Sequence, residues 1–326
     1  ALNDTRNRMF LEYIRIVNIV RPKAFIAENV KGILSFAKKG MPKLLGQVFD
    51  RLGYNLSFDV VNSLEFGVPQ DRMRVIFSGI RRDVADELGI SFLSAPAPCM
   101  PDLISKYYKT GQTITLSEAL ADLPAGCAVA QESRIWVIDG EVYNESREDE
   151  PYPYPENSQL TGYQRAMRRQ SSGIYNSHTK GMSQGRLDKV SSIPEGGVLA
   201  SGGRSNAWRR LNWNRHAHTL QAHMGKDLKE FIHPLVSRWI TVREAARLQS
   251  FDDAYVFLGS QGAQLSQIGN ALPPFVGWAI GRSTGEQLNL FDTAKLPLRV
   301  PNPLNKLLFP LQDPRDARWL GLLEYI

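Results

Sequence analysis

Cysteine is scarce: Cys99 and Cys127 are the only two in 326 residues. That excludes a disulfide-framed scaffold, and neither has the Cys or His spacing of a structural metal site. So little thiol chemistry points to a reducing compartment, the cytoplasm. Long apolar runs are missing as well. The longest near the end, Phe275 to Ile280, falls far short of the roughly 20 residues a membrane helix needs, so no membrane partner is expected. The opening Ala1-Leu2-Asn3-Asp4-Thr5-Arg6 has no secretion-signal pattern, and no internal repeat is apparent. Acidic residues are outnumbered, 33 Asp+Glu against 39 Lys+Arg, for a net charge of +6. That balance permits a polyanionic partner without requiring one. The hydrophobic share of 43% and charged share of 22% are those of an ordinary globular protein, and the length suits about two domains.

What is present begins with alternating helix and strand. Met9, Phe10, Tyr13, Ile14, Ile16 and Val17 recur at helical spacing, with Asp4 or Thr5 to cap the helix and Pro22 to end it. Ala24-Phe25-Ile26-Ala27 is a short apolar run suited to a buried strand. A helix around Pro42 to Arg51, an extended stretch from Leu56 to Val61 and a strand at Arg74-Val75-Ile76-Phe77-Ser78 follow. This order predicts an α/β fold with a parallel or mixed sheet, whose ligands sit beyond the carboxyl ends of the strands. From about residue 81 periodicity fades and prolines cluster, which predicts a separate, irregular, partly β domain over 81–236. Thr241 and Glu244 then have the spacing of a capping box, and Pro273-Pro274 suits the first turn of a further helix. Beyond Gln287 the chain is Pro/Leu-rich and weakly patterned.

Several residues carry chemical potential. Glu28 follows an apolar strand and would stand at its carboxyl end, although alone it reads as well as a solvated or capping Glu. Gln70, Arg72 and Arg74 are spaced by two, so in an extended segment they share a face, with Met73, Val75 and Phe77 turned into a core. Two guanidinium groups on one face call for an anion or acceptor opposite; a basic edge strand in water is the alternative. Arg243 and Arg247 lie one helical turn apart and could clamp phosphates or pair with nearby acids, the structural role being favoured. Arg165, Arg168, Arg169 and Arg186 suit either phosphate contacts or a solvated basic surface.

Four of these segments fall in one order: Glu28-Asn29-Val30, then Gln70-Asp71-Arg72-Met73-Arg74 behind Gly67-Val68-Pro69, then Thr241 to Gln249, then Gln267-Ile268-Gly269-Asn270-Ala271-Leu272-Pro273-Pro274. In that order they resemble the later motifs of the DNA (cytosine-5) methyltransferases. The resemblance implies the C-terminal part of a Rossmann-like methyltransferase sheet, S-adenosyl-L-methionine as cofactor, and double-stranded DNA with the target cytosine flipped into a pocket. It implies a bacterial, cytoplasmic enzyme of restriction–modification type. By resemblance, Glu28, Arg72 and Arg74 hold the flipped cytosine and its phosphate. Asn270, Ala271 and Leu272 close the cofactor pocket, with Met9 near the adenine. Gln70, Arg243 and Arg186 are assigned to DNA. Arg215-His216-Ala217-His218-Thr219-Leu220 stands where the family usually has a Pro-Ser-Pro-Thr-like segment, and its histidines depart from that pattern.

The resemblance covers roughly residues 4–80 and 209–285. The family's glycine-rich cofactor loop and Pro-Cys nucleophile loop belong before Glu28 and are not found in the chain. Pro98-Cys99 does not replace them, because it follows the Gln-x-Arg-x-Arg segment and precedes Met100-Pro101 rather than Gln. The expectation is therefore a portion or subunit of the enzyme, inactive alone, whose missing half lies on a longer chain or a second polypeptide. A catalytically inactive relative serving as a DNA-binding or partner-activating module is the alternative. The expected division is 1–80 and 237–287 as catalytic α/β body, 81–236 as target-recognition domain, and 288–326 as C-terminal extension.

Overall fold

The computed structural model describes residues 5–39, 41–90, 113–124, 128–129, 135–138, 141–144, 151–156, 159–169, 171–179, 181–199, 208–225 and 231–288. Its first part is built on three strands, β1 (Ala24–Val30), β2 (Tyr54–Asn62) and β3 (Met73–Arg81). β3 lies between the other two and is antiparallel to both, so β1 and β2 run parallel and the sheet is mixed. Period-2 alternation sends side chains to two covered faces. Phe25, Val75 and Phe77 pack under α1 (Thr5–Val20) and α2 (Met41–Arg51), with Ile14, Val17, Leu45 and Phe49. On the opposite face Val61 and Ile76 meet Val276, Ala279 and Ile280 of the last helix, Pro274–Gln287. Gly79 lets the first layer close, since a Cβ there would meet the Phe25 ring at 2.1 Å. Met73, expected in that core, is 37% exposed because β3 begins there, past the covered stretch.

Between β2 and β3 the chain makes a tight, fully determined turn. Asn62 caps the 3-10 turn Ser63–Phe66 through its side chain, and Gly67 ends it in the left-handed region at φ 73°. Val68 is then buried and Gln70 bridges to Ala217. The Gly-Val-Pro run thus reverses the chain and delivers Gln70 and Arg72 inward.

The later helices are short and well capped. α3 (Arg82–Glu87) follows β3; α4 (Leu116–Leu120), α5 (Gly162–Arg168) and α7 (Val242–Leu248) each open with a complete capping box, at Thr115/Glu118, Thr161/Gln164 and Thr241/Glu244. α6 (Gln184–Ser191), α8 (Gln261–Asn270) and α9 (Pro274–Gln287) complete the helices described. The strands between are fragments of two to four residues. One core joins Leu116, Leu120, Met167, Leu211, Leu220, Phe231, Val242, Leu265 and Ile268. The expected boundary at 236/237 therefore runs through shared packing. Across that boundary the apolar side chains of α4 and α5 pack in one cluster with those of α7 and α8.

A buried ion network fastens the same elements. Arg247 of α7 donates to both carboxylate oxygens of Asp253 (2.9 and 2.6 Å) and to Asp122, and all three side chains are fully buried. Arg168 reaches the same Asp122 at 2.6 Å, and the Tyr154 hydroxyl donates to Asp253 at 2.6 Å. Removing one partner leaves buried charge uncompensated, at a cost of about 3–5 kcal/mol. Arg247→Ala should lower unfolding free energy in urea by that amount; a loss below about 1 kcal/mol would show the network to be dispensable.

Glu244 gives a pH signature. Burial alone would raise its carboxyl, but the Arg238 fork (2.8 and 2.6 Å) and the Thr241 amide (2.8 Å) outweigh burial and hold it below the usual range. A depressed folded value means stability complete above the unfolded pKa of about 4.3 and lost as pH falls through the folded one. Glu244→Gln should thus cost most near neutrality and converge on wild type in acid, as read from urea midpoints across pH 3–7.

Candidate active site

The carboxyl end of β1 and the start of β3 meet at one edge of the sheet, with Val30 opposite Arg74 and Glu28 opposite Ile76. Glu28 and Arg74 are thus diagonal neighbours on the face that also carries α9. Their side chains form an ion pair, Nε to Oε1 2.7 Å, and remain 28% and 12% exposed. Beside them opens a cavity of about 450 Å³ lined by Glu28, Arg72, Arg74, Thr219, Gln221 and Asn270, among others. Burial pulls the Arg74 guanidinium down from its usual value, while Glu28 opposes the shift.

Arg72 lines the same cavity but is 1% exposed. Its guanidinium donates to the carbonyls of Leu220 (2.7 Å), Gly269 (2.9 Å) and Ala271 (2.9 Å). Burial, reinforced by the neighbouring Arg74 charge and opposed by Glu28, brings its pKa down to about 10, so it stays protonated at neutral pH. Its role here is to pin the 217–222 strip and the α8–α9 junction to β3. Thr219 helps, its hydroxyl donating to the Asp71 carbonyl at 2.6 Å.

The other expected site residues divide by burial. Asn270 is exposed at the end of α8 and faces the cavity. The Ala271 amide donates to the Gln267 and Ile268 carbonyls as the helix closes. Leu272 packs beneath α9. Met9 is 71% exposed on α1 and does not line the cavity. Gln70 and Arg243, both placed among the expected DNA residues although a structural role was favoured for Arg243, are fully buried. Gln70 donates to the Leu248 carbonyl and the Gln249 side chain and accepts from the Leu220 amide. Arg243 donates to the carbonyls of Tyr175, Asp252 and Tyr255. Neither has a face left for a strand of DNA; spacing alone could not show that 217–222 and 249–255 cover them. Arg186 is exposed on α6. Cys99 and Cys127 lie outside the described residues.

Thr219, Gln221 and Gly269 went unassigned at the sequence level, and the cavity needs all three. Gly269 is required by contact: a Cβ there would stand 2.4 Å from the Gln221 carbonyl oxygen. Gly269→Ala should push that wall away, costing about 1–3 kcal/mol. A urea midpoint equal to wild type would show that the strip yields freely.

A paired carboxylate and guanidinium thus stand at a strand end of an α/β fold, over a cavity closed by a helix junction. Residues 1–286 match the family described as C-5 cytosine-specific DNA methylase, and the chain belongs to that family. It is 28% identical to the type II methyltransferase M.AgeI of Thalassovita gelatinovora, over 86% of this chain and 77% of that one. It is 30% identical to M.XorII of Xanthomonas oryzae pv. oryzae, over 86% and 62%, and 28% identical to M.DdeI of Desulfomicrobium norvegicum, over 91% and 71%. The fold is shared with a solved structure described as a DNA modification methyltransferase encoded within an E. coli prophage (TM-score 0.65, 22% identity, 88% of this chain and 75% of that one). The S. pombe Dnmt2 methyltransferase is similar too (TM-score 0.51, 14% identity, 89% and 75%). Among the described residues no helix is long and apolar enough to cross a membrane.

Proposed function

We propose that the chain provides the target-base pocket of a DNA (cytosine-5) methyltransferase of restriction–modification type. The observation that carries this reading is the Glu28–Arg74 pair at the mouth of a 450 Å³ cavity, within a chain of the cytosine methylase family. A cytosine turned out of the duplex presents N3 and O2 along one edge. The Glu28 carboxyl shares a proton with the N3 acceptor, and Arg74 donates to O2. Arg74 is kept in place meanwhile by its own bond to the Met73 carbonyl (2.8 Å). These contacts draw electron density from the ring and favour addition at C6, after which C5 can accept a methyl group; loss of the C5 proton and of the nucleophile from C6 then restores the ring.

S-adenosyl-L-methionine, when bound, supplies that methyl group; Asn270 is the residue of the closing motif open to it. The thiolate that adds to C6 and the rest of the cofactor site are taken to come from another segment or a second polypeptide. We assign sequence preference to residues 81–236, where Arg186 on the exposed side of α6 suits a phosphate contact.

In a complete, active assembly, Glu28→Gln and Arg74→Ala should each lower methyl transfer about a hundredfold, on the order of 3 kcal/mol in the transition state. DNA affinity should change far less. Tritiated-methyl transfer and fluorescence anisotropy on the same preparations measure both; equal losses in the two would make these residues general DNA contacts.

A further inference from the structure

The strip that walls the cavity carries a second basic feature on its outer side. Ala217 is buried and Thr219 faces the cavity, while His218 between them is exposed. Its Nε2 lies 3.0 Å from Nη1 of Arg209. A guanidinium can only donate, so the imidazole accepts at Nε2 and its neutral form carries the proton on Nδ1. Other described arginines here give their protons to carboxylates or carbonyls: Arg247 to Asp122 and Asp253, Arg243 and Arg72 to backbone oxygens. Among the described residues no carboxylate lies within ion-pair distance of Arg209.

Partial burial is the largest influence on His218 and disfavours its protonation; Arg209 and His216 add to that, and the more weakly felt Asp71 opposes it. Two basic side chains therefore face each other on the surface with little countercharge, one residue from the cavity wall. A monoanion with several acceptor oxygens satisfies both at once, taking remaining N–H donors of Arg209 and the Nδ1–H of His218.

We propose that Arg209 and His218 form a phosphate site for the DNA strand, holding a phosphodiester beside the nucleotide whose base enters the cavity. This rests on the base-pocket reading above, but it is tested by binding rather than by turnover. A bound phosphate supplies the anion that lets His218 take up a proton at Nε2, the Arg209 N–H released from that nitrogen turning to the phosphate, so duplex binding should tighten as pH falls from 8 to 6. Acid adds no such attraction once the imidazole is gone.

The test is fluorescence anisotropy of the full chain with a labelled mixed-sequence duplex, across a potassium chloride series at pH 6 and pH 8. Arg209→Ala should reduce the slope of log K against log salt by about 1, the contribution of one phosphate contact. Arg209→Lys, which keeps the charge, should retain most of the slope and controls for misfolding. His218→Ala should remove the gain in affinity at pH 6. Wild-type slopes in Arg209→Ala, or an unchanged pH response in His218→Ala, would overturn the site, as would absence of any salt-dependent duplex binding. Failure of Glu28→Gln to impair methyl transfer would instead overturn the base pocket and leave these binding results standing.

Discussion

Everything at the cavity depends on one buried cation. Arg72 sits inside the protein at 1% exposure and holds three carbonyl oxygens from segments some 150 and 200 residues away in sequence. Taking a guanidinium out of water costs several kcal/mol unless its protons find acceptors. Arg72 finds three, while its Nε has none among the described residues. The contact therefore has one good geometry: the Leu220 strip on one side, the Gly269–Ala271 turn on the other, β3 between. Gly269 permits it, because a larger residue would force the strip off the helix. The cavity is the space left when these three walls are pinned.

The same device recurs wherever regular structure runs out. Short helices and turns leave carbonyls without partners inside the protein. Arg243 satisfies those of Tyr175, Asp252 and Tyr255, and Arg210 those of Val190, Ile193 and His233. A planar group with five donors does this where a lysine ammonium, with three donors at one point, could not. A basic composition is thus compatible with an interior that consumes many of the positive charges, and the net charge of +6 overstates what is offered to DNA. The phosphate-facing surface has to be sought among arginines left with exposed donors.

This explains what was legible in the sequence and what was not. The mixed α/β order, the capping box at Thr241 and Glu244 and the helix after Pro273 follow from local rules, and the structure has them. Glu28 and Arg74 could be brought together on paper because strand ends and alternation are local properties too. Gln70, Arg72 and Arg243 could not be told from Arg74 by spacing. Spacing gives the face of an element, and burial depends on a distant segment that lands on that face. Likewise the fading periodicity after residue 81 suggested a separate domain. Short capped helices at 116–120 and 162–168 carry too few residues for a period to show, yet their leucine, tyrosine and methionine side chains complete the core of 242–268.

Strand direction settles why the pair exists at all. In a wholly parallel sheet the first residue of one strand lies at the opposite end from the last residue of its neighbour. Arg74, at the start of β3, would then be a strand length away from Glu28. Because β3 runs antiparallel between the parallel β1 and β2, its opening residues stand beside the carboxyl ends of both: Arg74 opposite Val30, Met73 opposite Asn62. Ligands of α/β sheets gather at the carboxyl ends of parallel strands, and the reversed strand adds its amino end to that crevice. The tight turn through Asn62 and Gly67 makes the reversal. So the Gly-Val-Pro run, which does not line the cavity, decides that an arginine and a glutamate forty-six positions apart share one pocket.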